Sequence, residues 1–355
     1  MNSLTFKNIS FFIGIDTHLK NWSVTIRSNN LELKTFSMNP SAEQLHKYLT
    51  TNYPEGRFYL AYEAGFSGFW PSRKLNELGL NCIVVNPADI PTSDKEKSCK
   101  SDPVDSRKLA RELENGSLKP IYIPSVDSEQ LRSLMRLRFR LVQNQTRAKN
   151  RIKGLLYNYG ISIPKEFTSN SRWSGYFINW LNSIELDSSV GTYTLRNLVL
   201  QLQQIRDHHK TVLRQLRQEV KNNNVITPII NSLTSVPGVA FITAMSLYTE
   251  IIDINRFSNF DKLCSFVGLV PSTYASGSTE YAKGISFRHN KFLRPLIVES
   301  AWVAIKKDPA LMHKYYILCK AMPKQKAIIR IAKKLLRRIR HVWINQDQYI
   351  ISKVA

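Results

Sequence analysis

Four carboxylates stand where two kinds of element would bring them together. Asp16 closes the apolar run Phe11–Ile15, Glu63 follows Phe58–Tyr62, and Asp102 and Asp105 stand three apart at the start of a helical pattern. Residues three apart share one face of a helix. Carboxylates crowded into one place repel one another unless cations sit among them. Hard oxygen ligands suit Mg²⁺, and a metal pair can stabilise both the attacking and the leaving oxygen of a phosphodiester. Acids at strand ends and helix starts are also common for blander reasons, and Asp105 alone would be favoured by the helix dipole. Spacing by itself leaves both readings open.

The elements that must position these acids follow from periodicity. Residues 11–16, 22–27 and 31–36 read as strands, Ala42–Leu49 as a helix, Phe58–Tyr62 as a strand, Phe69–Leu78 as a helix and Cys82–Val85 as a buried strand. Three strands followed by alternating helix and strand predict an α/β domain with a mixed sheet, in the ribonuclease-H-like (RuvC-like) order. In such a sheet the ends of the first and fourth strands are neighbours, and a later helix brings further acids to them. Asn86–Lys100 reads as a loop, and Ser101 can cap a helix running to about Glu114. Asp127–Tyr159 and Thr194–Lys221 predict two long helices, an antiparallel coiled-coil-like spacer. Residues 160–190 have no clear period. From Thr227 a helix-rich region begins. The expected domains are 1–126, 127–226 and 227–355, an α/β domain followed by α-helical ones.

The charge is distributed unevenly. The chain of 355 residues has 50 Lys+Arg and 27 Asp+Glu, a net charge of +23. Residues 1–126 hold 15 of the basic and 13 of the acidic residues, so the excess belongs almost wholly to residues 127–355. A localised excess points to a polyanion, with nucleic acid first. Cys82, Cys99, Cys264 and Cys319 form no C-x-x-C pair, which argues against a zinc knuckle or a disulfide framework and fits a reducing, cytoplasmic setting. The run Phe11–Ile15 is too short for a signal or membrane helix; charge alone leaves a membrane surface open as a lesser alternative, but no membrane partner is expected.

The strings GIDTHLKNWSV, YEAGFSGFWPSRKL and KSDPVDSRKLAREL resemble the three acidic motifs of the insertion sequence 110 transposase family, which includes the Piv-type DNA invertases. The resemblance continues through LKPIYIPSVDSEQLRSLMRLRFRLVQNQTRAKNRIKGLL, similar to the family's first spacer helix, and spans nearly the whole chain. It implies an acidic tetrad at Asp16, Glu63, Asp102 and Asp105 that binds Mg²⁺, with Mn²⁺ expected to substitute.

Further on, RFSNFDKLCSFVGLVPSTYASGSTEYAKGISFRHNKFLRPLIVESAW resembles the family's C-terminal transposase domain. The family's catalytic serine precedes a glycine in a short polar loop, which implies Ser276 before Gly277. On residues alone, Ser276 is one of several loop hydroxyls beside Ser272 and Ser278, and Tyr274 is a chemically possible rival. Phe287 and His289 stand where the family often has Lys and Gly; Ser101 replaces its usual Thr, and Ala275 a second Ser. Candidate nucleic-acid contacts are Arg132, Arg136, Arg140, Arg147, Lys149, Arg151 and Lys153 on the first spacer helix. Gly238 in a Val-Pro-Gly-Val turn, Gly277, Lys283, Arg288, and Lys333 and Arg337 on a basic amphipathic helix complete the set. The turn reads equally as a helix-hairpin-helix phosphate site or an ordinary helix hairpin, and the basic helix equally as a phosphate-binding or a solvated face.

The resemblance implies strand exchange between DNA element ends and a target. It also implies a structured guide RNA that pairs with both, and a homodimer or homotetramer in which the acids of one subunit meet the serine of another. The expected activity is therefore a DNA transposase or recombinase with a serine nucleophile. An invertase of the same family, a RuvC-like junction nuclease using water, and a non-catalytic nucleic-acid-binding protein are the rivals. The acids speak against the last, and only chemistry at the serine separates the nuclease.

Overall fold

The computed structural model describes residues 6–91, 102–167, 171–276 and 279–351, and leaves the side chains of 272–283 undescribed. The chain divides into two compact units, Met1–Ile123 and Pro124–Ala355. The division leaves nearly all the excess positive charge in the second.

In the first unit, strands β1 (Ser10–Thr17), β2 (Trp22–Ser28), β3 (Leu31–Met38), β4 (Arg57–Glu63) and β5 (Asn81–Val85) form one five-stranded sheet in the order β3-β2-β1-β4-β5. β2 runs antiparallel to β1 and β3, while β4 runs parallel to β1 and β5. Side chains alternate along each strand. Phe11, Ile13 and Ile15 of β1, Trp22, Val24 and Ile26 of β2, and Leu60 and Tyr62 of β4 enter one core with helices α1 (Ala42–Asn52) and α2 (Trp70–Glu77). The remaining positions of the same strands therefore face the other side, which helix α3 (Asp102–Glu114) covers.

Contact on that side is unusually close. A Cβ on Gly14 would lie 2.1 Å from the Ser106 carbonyl oxygen and 2.5 Å from the Ala110 nitrogen, so only glycine lets α3 lie directly on β1. Buried hydroxyls fix its register: Ser106 Oγ lies 2.9 Å from Thr25 Oγ1 and 3.2 Å from Ser23 Oγ, and it donates to the Pro103 carbonyl at 3.1 Å. At the far end, Glu114 accepts from Arg27 Nε at 2.8 Å and from the Asn30 backbone N–H at 2.7 Å. Both ends of α3 are thus tied to the sheet, which matters because its first turn carries two of the four acids. The expected cap Ser101 lies outside the described residues.

In the second unit, α4 (Val126–Asn158) and α6 (Ser189–Lys221) are 33 residues each and pack side by side. Met135 and Leu141 share a core with Val212, Leu216 and Val220, while Ala148, Ile152 and Leu156 share another with Leu195, Val199 and Leu202. That pairing makes the helices antiparallel. The stretch without a clear period contains α5 (Gly175–Ser183), whose Phe177, Ile178 and Leu181 pack with Phe167 into the second of these cores.

Helices α7 (Ile226–Ser235), α8 (Phe241–Ile251), α9 (Phe260–Val267), α10 (Leu293–Lys307), α11 (Pro309–Ala321) and α12 (Lys324–Asn345) form the rest of the unit, in one core with the base of the α4–α6 pair. The predicted stripe of α12 is buried: Ile328, Ile331, Leu335 and Ile339 are all inside. Of the aromatic residues nearby, Tyr315 and Trp343 are buried, whereas Tyr316 is exposed. A hairpin of β6 (Pro271–Ser276) and β7 (Thr279–Ile285) interrupts the helices. Among the described residues no helix is long and apolar enough to cross a membrane.

Candidate metal centre and nucleic-acid surface

Alternation along the strands decides where the first two acids go. Asp16 follows Gly14 on β1, and Glu63 follows Ala61 on β4, so both fall on the α3 side of the sheet. Ile15 pairs with Tyr62, which makes Asp16 and Glu63 next in register on adjacent parallel strands. Asp102 and Asp105 occupy the first turn of α3, where the N-terminal dipole favours negative charge. The four acids named from the sequence are therefore gathered at one end of the sheet.

Two cationic or protonatable side chains stand among them, and sequence reasoning missed both. His18 Nε2 lies 3.2 Å from Asp16 Oδ2 and 3.3 Å from Asp102 Oδ1. Lys108 Nζ donates to Asp105 Oδ1 at 3.0 Å and lies 3.6 Å from Glu63 Oε1. The signals were weak: His18 is two residues beyond Asp16, and Lys108 is three beyond Asp105 on the same helix.

The electrostatics are those of crowded anions. Burial pushes the Asp16 carboxyl above its ordinary range, His18 pulls it down, and the negative Asp102 and Asp105 push it up again. Lys108 is buried, which works against its charge, yet its hydrogen bond to Asp105 and the charges of Asp105 and Glu63 prevail and hold its pKa above that of an ordinary lysine. Donor atoms of Asp16, His18 and Asp102 all lie within 4.8 Å of one another, a spacing that one metal ion can bridge. A divalent cation would offset both the burial and the repulsion that raise the Asp16 pKa, so the residues fit one.

The residues named for nucleic acid differ in what they touch. Arg136 makes a two-bond bridge to the buried Glu250 of α8, Nε to Oε1 at 2.7 Å and Nη2 to Oε2 at 2.8 Å, and lies 4.9 Å over the Phe292 ring. Asn290 adds a bond to the same carboxylate at 3.0 Å. Lys149 lies 5.5 Å over Trp173, and burial with the nearby Arg206 and Lys153 lowers its pKa. Arg147 and Arg151 line a cavity of about 430 Å³ between α4 and α6. Arg140, Arg147, Arg151, Lys153 and Arg288 are exposed, and Arg132 is half-buried.

Gly238 has φ +86°, and a Cβ there would lie 2.2 Å from the Ser300 carbonyl, so the turn between α7 and α8 packs backbone to backbone on α10. Lys333 and Arg337 lie on α12 above the ring of Phe260, at 5.8 and 4.7 Å. Lys283 lies on β7. Ser276, expected in a loop, instead ends β6 opposite Thr279, because β6 and β7 pair right up to that position. Gly277 and Ser278 lie outside the described residues.

The first unit gathers four acids at one end of its sheet and the second carries the excess positive charge, and comparison with known transposases matches regions of both units. Residues 13–161 match the DEDD domain of IS110 transposases, and residues 230–317 match a domain described as transposase IS116/IS110/IS902 family. A putative transposase of Sinorhizobium fredii is 28% identical over 244 residues, covering 69% of this chain and 58% of that protein. The transposase for insertion sequence element IS1111A of Coxiella burnetii is 27% identical over 254 residues, 71% of this chain and 67% of its own length. That for insertion sequence element IS1328 of Yersinia enterocolitica is 25% identical over 298 residues, 83% and 84% respectively. The chain belongs to the IS110 family of transposases.

Proposed function

We propose that this protein is the transposase of an insertion element, and that it cuts and rejoins DNA strands with Ser276 as nucleophile at a Mg²⁺ site held by Asp16, Glu63, Asp102 and Asp105. The gathering of these acids beneath α3, with His18 and Lys108 between them, carries the proposal. The sheet order β3-β2-β1-β4-β5, with β2 alone running against the others, supports a ribonuclease-H-like reading of the first unit.

When bound, Mg²⁺ or Mn²⁺ supplies electrostatic stabilisation of the charge that develops on the phosphoryl oxygens. The chain's own residues do the rest. Lys108 holds Glu63 and Asp105 apart at a fixed spacing and offsets part of their charge, which lessens repulsion of an incoming phosphate. Ser276 Oγ forms a bond to phosphorus as the bond to a deoxyribose oxygen breaks, and the serine proton ends on that leaving oxygen. One phosphoester replaces another, so rejoining needs no outside energy. The basic unit binds the DNA element ends, the target and a structured guide RNA. A homodimer or homotetramer brings the acids of one subunit to the serine of another.

An end-labelled DNA substrate with a nick beside the cleavage point tests the chemistry, because rejoining fails and a covalent adduct accumulates. Wild type should give a labelled, protease-sensitive protein–DNA species that chelator and Asp16→Asn abolish. Ser276→Ala should lose it while still binding DNA, and Ser272→Ala, Ser278→Ala and Tyr274→Phe should keep it. Free DNA ends made at wild-type rate by Ser276→Ala would replace the serine with water and make the protein a junction nuclease.

A further inference from the structure

Helix α12 carries cations at Arg330, Lys333, Lys334 and Arg337, positions that recur at helical spacing on the face opposite its buried isoleucine and leucine stripe. They do not cover a flat surface. Arg330, Lys333, Lys334, Arg337 and Arg338 close with Phe260 around a cavity of about 420 Å³, within the ordinary range for a small organic ligand. A second cavity of about 380 Å³ adjoins it, sharing Lys334 and Arg338 and adding His313 and Lys314 of α11.

Acids near the first cavity are few. Asp261 lies 3.2 Å from Lys333, and the buried Asp308 takes Arg338 at 2.6 Å. Among the described residues no carboxylate pairs with Arg330, Lys334 or Arg337. Cations left uncompensated around a concavity favour an anionic ligand. The aromatic lining narrows the choice. A duplex keeps its bases stacked inside and offers a convex row of phosphates, so it can use the arginines but not the ring. An unpaired nucleotide offers both a phosphate and a π-face. Two basins sharing a cationic wall suit successive nucleotides of a strand better than an isolated anion.

We propose that this basin between α9 and α12 is a binding site for unpaired nucleic acid, in which phosphates lie against Arg330, Lys334 and Arg337, Arg337 leaves the Phe260 ring it now lies 4.7 Å above, and a base packs on the face so uncovered. The proposal rests on the nucleic-acid function stated above and assigns a place and a strand state to it. Phe260→Leu keeps an apolar side chain of similar size and all the cations, and removes the ring with its contacts to Lys333 and Arg337; Arg337→Gln and Lys334→Gln remove charge and leave the ring.

The full-length protein is titrated by fluorescence anisotropy with short oligothymidine, short oligouridine and a duplex of equal charge, across a salt series. Phe260→Leu should weaken unpaired-strand binding about tenfold, leave the duplex within twofold and keep the salt slope. Each charge variant should flatten the unpaired-strand slope by about 0.7. Loss in the thymidine arm, the uridine arm or both identifies the strand as DNA, RNA or either. Phe260→Leu weakening duplex and single strand alike, or neither, overturns the site while wild-type binding leaves the broader function standing. Failure of the wild type to bind any of the three removes that function as well.

Discussion

Replacing Gly14 by alanine tests whether the close seat of α3 on β1 builds the acidic centre. The added Cβ would lie 2.1 Å from the Ser106 carbonyl oxygen, whereas ordinary contact begins at 3.4 Å, so α3 must retreat by about 1.3 Å. Neither of the two nearest atoms can swing aside, because both are backbone. A retreat of that size breaks the hydrogen bonds of Ser106 Oγ to Thr25 and Ser23, now 2.9 and 3.2 Å. Overpacking costs about 1–3 kcal/mol, and leaving buried hydroxyls unsatisfied costs a further ~1–3 kcal/mol. The expected loss is roughly 2–6 kcal/mol, a large part of the ~5–15 kcal/mol that holds a domain together. Asp102 and Asp105 move with α3 away from Asp16 and Glu63, and a misplacement near 1 Å can cost about 100-fold in rate. Urea unfolding followed by circular dichroism reads the stability, and strand cleavage reads the geometry. Gly154→Ala is the control: its Cβ meets nothing within 4 Å on α4, so it should be neutral or stabilise by up to ~1 kcal/mol. Gly14→Ala with stability within about 1 kcal/mol of wild type and undiminished cleavage would refute the reasoning.

Arg136→Ala should cost about 3 kcal/mol, near the lower end for orphaning a buried charge because Asn290 still serves Glu250; Arg136→Lys should recover only part. Urea midpoints decide it, and a change below about 0.5 kcal/mol would show the bridge to be idle. His209 of α6 is partly buried near Arg138, and burial followed by the Arg138 charge lowers its pKa from 6.5. The unfolded chain therefore takes up the proton first, so the stability His209 gives by staying neutral is complete above 6.5 and shrinks as pH falls below it. The gap in urea midpoint between wild type and His209→Gln should narrow over that window, and a gap that stays constant from neutral to mildly acidic pH rules the effect out.

The first sheet was legible because alternation and short turns leave little choice: each of its strands falls within two residues of the range that periodicity predicts. The same alternation places Asp16 and Glu63 on one side. Lys108 was not legible, because a lysine three residues after an aspartate is usually a solvated pair, and only the tertiary seat of α3 buries it against Glu63. The β6–β7 hairpin was missed for a local reason. Ser, Thr and Gly crowd the sequence from 272 to 279 and read as loop, while the pairing is made strand to strand. Helix α5 is short, and its aromatic Tyr176, Phe177 and Trp180 blur the period that would have marked it.

The α4–α6 pair has a mechanical property that its composition hides. A helix of 33 residues is about 50 Å long at ~1.5 Å per residue. Its base is held in the core shared with α7–α12 and its tip in the aromatic core around Phe177, and Ile205 packs against both. The two anchors meet at that one residue, so length between them is set by few contacts. Seven residues added to each helix between the cores would advance the tip by about 10 Å and turn it by only ~20°, at the cost of the contacts Ile205 makes with one of the two cores. The arm behaves as a ruler graduated in helical turns, so the reach of the tip can be reset by insertion or deletion without rebuilding either end.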